Sequence, residues 1–209
     1  MVTAVSGGIG CGKSVVCRIL QTLGYEVYDC DSRAKAIMDA DAGIKLLIAE
    51  EISRDVIVEL ECGFQQINRK RLAEIVFNDE AALSKLNAIV HSAVRADIGK
   101  WICNHLTTET VERPHLFIET AILMESGLDK MVDDVWEVCA PENLRIERAM
   151  KRDNASRHQI EARIRNQQPL CYDEELVPDI PVNIITNDDR HPVLPRILEL
   201  LDYSIPMML

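Results

Sequence analysis

The sequence predicts an α/β fold: a parallel sheet flanked by helices, carrying a helical insertion and a helical lid. Three observations predict it. A β-rich run, a glycine-rich turn and a helix-period run follow one another from Val2 to Leu23, the order of a strand–loop–helix unit. Strand-like runs resume only after Thr110, beyond a long stretch of helical periodicity. A basic segment, also helical by period, stands between the last two strands.

Taken in order, "VTAVSG" is the first strand. From Lys13 the apolar residues Val15, Val16, Ile19, Leu20 and Leu23 recur at helical spacing, and Gly24 ends that helix in the role glycine favours. "YEVYD" is the second strand, which makes a βαβ unit and implies a parallel sheet. From Ser32 to about Thr110 nothing alternates like a strand; "RKRLAEIVF" and "EAALSKLNAIVHSAVRADIGKWICNHL" are helical by period, with Asn78 and Asp79 breaking between them. "HLFIET" and "DVWEVCA" restore strand character, "VNIIT" adds a late strand, and "HPVLPRILELLDY" closes as a helix. Leu144 to Gln168 holds seven basic residues against three acidic ones, and Ser156 with Gln159 forms a capping box after the turn "RDNA". That segment is a basic helical hairpin. One domain is expected over 1–209, with a core of 1–31, 111–140 and 179–209, a helical lobe over 32–110 and a lid over 141–178.

Composition narrows the class. The chain has 209 residues, 47% apolar, which suits one good core with an insertion. No apolar run has the length of a membrane span, and "MVTAVSGG" lacks the basic start of a secretion signal, so a cytoplasmic location is expected. The net charge of -11 argues against nucleic acid or an anionic membrane as a partner. Seven cysteines without paired metal spacing point to reduced thiols.

The motif with the strongest chemistry is "SGGIGCGKS", which fits G-x-x-x-x-G-K-[ST] at Gly7, Gly12, Lys13 and Ser14. After a strand and before a helix, its amides and the helix N-terminus suit a phosphate. Lys13 reaches the β/γ-phosphates, and the Ser14 hydroxyl can ligate Mg²⁺. Cys11, inside the loop beside that N-terminus, is expected to lean toward thiolate and so toward oxidation, or simply to fill a small position. In "YDCDS", Asp29 and Asp31 leave the same side at the end of a strand. One carboxylate could orient or deprotonate an acceptor hydroxyl and the other hold a metal-bound water; alternatively Asp29 or Ser32 caps the next helix. Arg148 and Arg152, at i and i+4, share a helical face suited to phosphate, whereas Arg163 and Arg165 read as a solvated face. Glu119 and Glu125 either touch substrate or cap, and His91 reads first as a helix packing residue. Arg69, Lys70 and Arg71 crowd a helix start, the unfavoured end for cations, as if an anion were bound there.

The order "GGIGCGKS", "YDCDSRAK", "NRKRLAEIVFND", "LNAIVH", "ETAILMES", "ERAMKRDNAS", "ARIRNQQ" and "VNIITN" resembles the dephospho-CoA kinase family nearly end to end. The resemblance implies a P-loop kinase that transfers the ATP γ-phosphoryl to the 3′-hydroxyl of dephospho-CoA. It implies Asp31 as base, Lys13 and Arg148 as its catalytic partners and Ser14 as the Mg²⁺ contact. Nucleotide would meet Gly8, Ile9, Gly10, Cys11, Gly12, Lys13, Ser14 and Val15 along the loop, with Arg148 and Asn187. Acceptor would meet Asp29, Asp31, Arg69, His91 and Glu125, with 32–110 as a coenzyme-A lobe. Three positions depart from the family pattern: Ser92 replaces a proline after His91, Ala121 begins "AIL" where "PLL" is usual, and Arg145 replaces a common glutamine. A monomer or small homo-oligomer is expected. The rivals are another P-loop nucleoside or nucleotide kinase, and a nucleotide-dependent switch or assembly ATPase. The switch lacks support, since no N-K-x-D or T-K-x-D is present.

Overall fold

The computed structural model describes residues 1–59, 63, 65–107, 114–165 and 179–204. Part of the expected lid, 166–178, lies outside the described residues. The chain divides into two compact units, residues 1–28 with 112–209, and residues 29–111.

The first unit is built on a five-stranded sheet of β1 (Val2–Ser6), β2 (Glu26–Asp29), β5 (Leu116–Glu119), β6 (Asp134–Cys139) and β7 (Val182–Thr186), in the order β2-β5-β1-β6-β7. β1 is central, paired in parallel with β5 and β6, and every one of its residues is buried. A strand covered on both faces reads as a continuous apolar run, which is why "VTAV" carried no alternation. Helices α1 (Lys13–Thr22) and α8 (Val193–Ser204) bring Val16, Leu20, Ile197 and Leu200 onto Phe117, Trp136, Val138 and Ile185. Two residues of the expected apolar stripe are not in that core: Val15 is 47% and Leu23 is 44% exposed. The stripe is centred on Val16, Cys17 and Leu20, while Leu23 lies past the end of α1 as its C-cap, next to the turn at Gly24 (φ +93).

The second unit contains α2 (Cys30–Ala40), α3 (Ala42–Glu51), α4 (Arg69–Asn78) and the 27-residue α5 (Glu80–Leu106). Asp29, Asp41, Asn68 and Asp79 each accept from backbone N–H groups at the head of one of these helices, the capping that ends each break in the helical pattern. Between α3 and α4 runs an antiparallel pair, β3 (Ile57–Glu59) and β4 (Gln65–Ile67). This corrects the expectation of a strand-free insertion. Three-residue strands are too short to show a period of two, and only Ile67 of the pair joins the buried cluster of Ile48, Val56 and Leu72. Among the described residues no helix is long and apolar enough to cross a membrane.

At the start of β5, His115 packs against Phe117 with ring centroids 4.2 Å apart, and its Nε2 lies 2.8 Å from Thr3 Oγ1. Burial first, and the terminal ammonium second, lower its pKa from 6.5 to about 4, with Asp133 opposing them. The folded ring therefore stays neutral where the unfolded chain takes up a proton, so this contribution to stability is complete above about 6.5 and falls as pH drops toward about 4. Melting temperatures at pH 7.5 and pH 5 check this: the acid shift should be smaller in His115→Gln than in wild type.

Candidate active site

The loop that follows β1 is walled by backbone and side chains that leave no room for a Cβ. One on Gly7 would stand 2.4 Å from the Val138 carbonyl oxygen, and one on Gly12 (φ +95) would stand 2.1 Å from Asn187 Nδ2. These are the two glycines that the pattern demands. Two of the loop's carbonyls are taken up from outside it. Asn187 Nδ2 donates to the Cys11 oxygen at 2.9 Å, and Arg145 Nε donates to the Ile9 oxygen at 3.0 Å. A loop whose carbonyls are held outward turns its amides inward, the arrangement that binds anions. Gly12 caps α1 without a side chain; the Val15 N–H bonds the Gly12 oxygen at 2.9 Å, which leaves the N–H groups of Lys13 and Ser14 at the head of the helix for a ligand. Lys13 Nζ donates to the Gly7 oxygen at 2.7 Å and to the Gly8 oxygen at 3.5 Å. Ser14 and Val15 follow in the first turn and are exposed.

Helix α6 (Glu142–Asp153) supplies the adjoining wall. Ile9 packs against Ile146 and Ala149 of α6 and Ile160 of α7 (Arg157–Arg165). Arg148 Nη1 donates to the Asn187 oxygen at 3.1 Å and more distantly to the Gly10 and Cys11 oxygens, both at 3.5 Å. Its Nη2 is ion-paired with Asp189. The structure thus brings Arg148 and Asn187 to the loop but leaves Arg152 outside, 61% exposed and bonded to Asp153. Arg163 stays on a solvated face, its side chain 53% exposed, and makes an ion pair there. It donates to Asp153 at 2.6 Å across the turn from α7 to α6, and the two arginines, Arg152 foremost, lower the Asp153 pKa to about 2. Ser156 and Gln159 form the expected capping box, with Ser156 N to Gln159 Oε1 at 2.9 Å.

Of the two readings of Cys11, burial favours the small residue that fills its position over the thiolate. Cys11 is 1% exposed within the core beside Val16 and Trp136, and burial raises its thiol pKa more than Lys13 and Arg145 lower it. The helix field acts on a group without water, and desolvation wins. Inactivation by peroxide is accordingly expected to run at the same rate in Cys11→Ser and wild type, read as residual activity against time; marked protection by the substitution would contradict the burial argument.

Asp29 closes β2, and its Oδ1 accepts from the N–H groups of Asp31 and Ser32 at 3.0 and 3.1 Å. The capping alternative is therefore what Asp29 does here, while Asp31 stands exposed in the first turn of α2. Within the second unit, Arg69 Nη2 donates to Asp39 Oδ2 at 2.7 Å and to the Lys35 oxygen at 3.2 Å. Arg69 lines an apolar cleft of about 280 Å³ with Met38, Ile67, Leu72, Val76 and Asn87. His91 is half-buried on α5, next to Val90 and one turn after Asn87, both of which line this cleft, though it is not itself among the lining residues. In the first unit, Glu119 ends β5 half-buried and Glu125 is exposed. Among the described residues no cluster of His, Cys, Asp and Glu is arranged to hold a metal by itself. Two residues escaped the sequence reading. Asp189 gave no signal beyond its place after Asn187, but Arg145, four residues before the buried Ala149, could have been read as a cation on the apolar stripe of α6.

A profile of dephospho-CoA kinases matches residues 1–188. The chain belongs to the dephospho-CoA kinase family. Its relatives include the dephospho-CoA kinase of Bacteroides fragilis, 34% identical over 199 residues that cover 95% of this chain and 90% of that one. Among solved structures, TT1252 from Thermus thermophilus is similar with a TM-score of 0.76 and 26% identity, over 99% of this chain and 98% of that one. The dephospho-CoA kinase from Campylobacter jejuni is similar with a TM-score of 0.63 and 26% identity, over 97% and 94%. A dephospho-CoA kinase has to hold a nucleoside triphosphate, and the walled loop with Lys13 at its end is the feature of this chain suited to that task.

Proposed function

We propose that this chain transfers the γ-phosphoryl group of ATP to the 3′-hydroxyl of dephospho-CoA, giving coenzyme A and ADP, the last step of coenzyme A synthesis. The observation that carries the reading is the complete phosphate-binding loop, its carbonyls fixed by Asn187 and Arg145, in a chain matched to this family over residues 1–188.

In this reaction the loop residues from Gly8 to Val15 hold the phosphates. Lys13 leaves its loop carbonyls to neutralise charge on the transferring group. Arg148, beside Gly10 and Cys11, adds positive charge from the lid helix, and Asn187 keeps the loop in register. The exposed Ser14 hydroxyl is a hard oxygen donor that would hold Mg²⁺. When bound, that ion neutralises the β- and γ-phosphate oxygens. Asp31, exposed rather than committed to a cap, orients the acceptor hydroxyl and takes its proton. Residues 32–110 act as the coenzyme-A lobe. There the apolar cleft suits the alkyl part of the pantetheine arm, and Arg69 at its rim suits an anionic phosphate. His91 and Glu125 complete the acceptor contacts. The enzyme works in the cytoplasm as a monomer or small homo-oligomer.

The test is coupled ADP release with dephospho-CoA, adenosine and shikimate offered in turn. Release stimulated by dephospho-CoA alone supports the reading. Preference for adenosine would instead favour a nucleoside kinase, and release indifferent to all three would favour an ATPase.

A further inference from the structure

The head of α2 is held by little apolar packing. Of its residues only Cys30 is buried, and Asp31, Ser32 and Arg33 complete an exposed first turn. A guanidinium there stands against the helix field, since the first turn favours anions. Arg33 is committed to a carboxylate on α5, 64 residues along the chain. Its Nε donates to Asp97 Oδ2 at 3.0 Å, and its Nη2 donates to Oδ1 at 3.0 Å and to Oδ2 at 2.8 Å. A single ion pair at a surface contributes little, but a two-pronged arginine–carboxylate fork fixes direction as well as distance. Asp97 is a firm partner for it: its side chain is 26% exposed, and the next residue, Ile98, is fully buried. The far end of α2 has a tether of its own, from Arg69 to the Lys35 oxygen and Asp39. At the head, the Asp29 cap and the Arg33 fork bracket Asp31.

We propose that Arg33 and Asp97 are a positioning pair for the catalytic base: their fork fixes the first turn of α2 against α5 and so holds the Asp31 carboxylate where it meets the acceptor hydroxyl. The proposal rests on the reading of Asp31 as the base. Neither Arg33 nor Asp97 touches a reacting atom; both act through α2. A base that works by placement more than by basicity is sensitive to such support, because a displacement of about 1 Å lowers a rate by up to about a hundredfold.

The experiment measures steady-state kinetics and melting temperature for Arg33→Met, Asp97→Asn and the two combined, each in wild type and in Asp31→Asn. With Asp31 present, kcat should fall roughly ten- to a hundredfold in either single variant and no further in the combined one, with both KM values within about twofold of wild type. Melting should shift only slightly, as for an exposed pair. In the Asp31→Asn background the same substitutions should leave kcat where Asp31→Asn alone puts it, since no carboxylate is left to place. Equal losses in both backgrounds would overturn the proposal, because a merely structural pair behaves that way. Wild-type kcat in Arg33→Met would overturn it too, as would a raised KM for dephospho-CoA at unchanged kcat, the mark of an acceptor contact. Should Arg33→Met not fold, Asp97→Asn, which keeps the shape of its side chain, decides. Failure of the underlying reading shows separately: Asp31→Asn alone would then turn over at the wild-type rate, and this proposal would fall with it.

Discussion

Asp31→Asn is expected to lower kcat by roughly 10² to 10⁴ with little change in either KM, the range of a general base. A ribose hydroxyl is a weak nucleophile, and a carboxylate beside it accepts its proton as the bond to phosphorus forms. The transition state is loose, so basicity counts for less than placement, and the charge still favours the proton's departure. Asparagine keeps the size and one acceptor but removes that charge. The fold should tolerate the change, because Asp31 is exposed and the cap of α2 is made by Asp29. Asp29→Asn should behave differently, with reduced stability from a weaker cap and an altered Mg²⁺ dependence. Steady-state ADP release across Mg²⁺ concentration, with melting curves for both variants, separates the two. Turnover of Asp31→Asn at the wild-type rate would move the base to Asp29.

Lys13→Ala is expected to lose roughly 10²-fold or more in kcat, as removal of a single electrostatic stabiliser does. Its ammonium now bonds the Gly7 and Gly8 carbonyls, so the loop loses one tether as well as the transition-state charge. Those bonds are partly buried and local, and melting should shift only slightly. Near-normal turnover in the purified variant would remove the loop from the chemistry.

The loop was legible because its chemistry is local: glycines, a lysine and a serine at fixed spacing between a strand and a helix. The succession of strands and helices along the chain and the helical hairpin were legible for the same reason, since period and capping residues such as Ser156 and Gln159 are near in sequence. What escaped depends on contacts between distant residues. Arg163 reads as surface until Asp153 is found across the turn, and Arg145 reads as one more basic residue until Ile9, far back in the chain, accepts its hydrogen bond. Cys11 carried two readings because a helix N-terminus can be read from sequence, whereas the burial that decides against the thiolate cannot. The hairpin β3–β4 was lost because three residues carry no period.

The central claim is that dephospho-CoA receives the phosphoryl group on its 3′-hydroxyl. It is tested most directly by incubating the protein with ATP, Mg²⁺ and dephospho-CoA and assigning the product by mass and ³¹P NMR. The account predicts one added phosphoryl group, on the ribose 3′-oxygen, appearing in step with ADP. ADP formed without a phosphorylated product, or a phosphoryl group found elsewhere on the molecule, would contradict it.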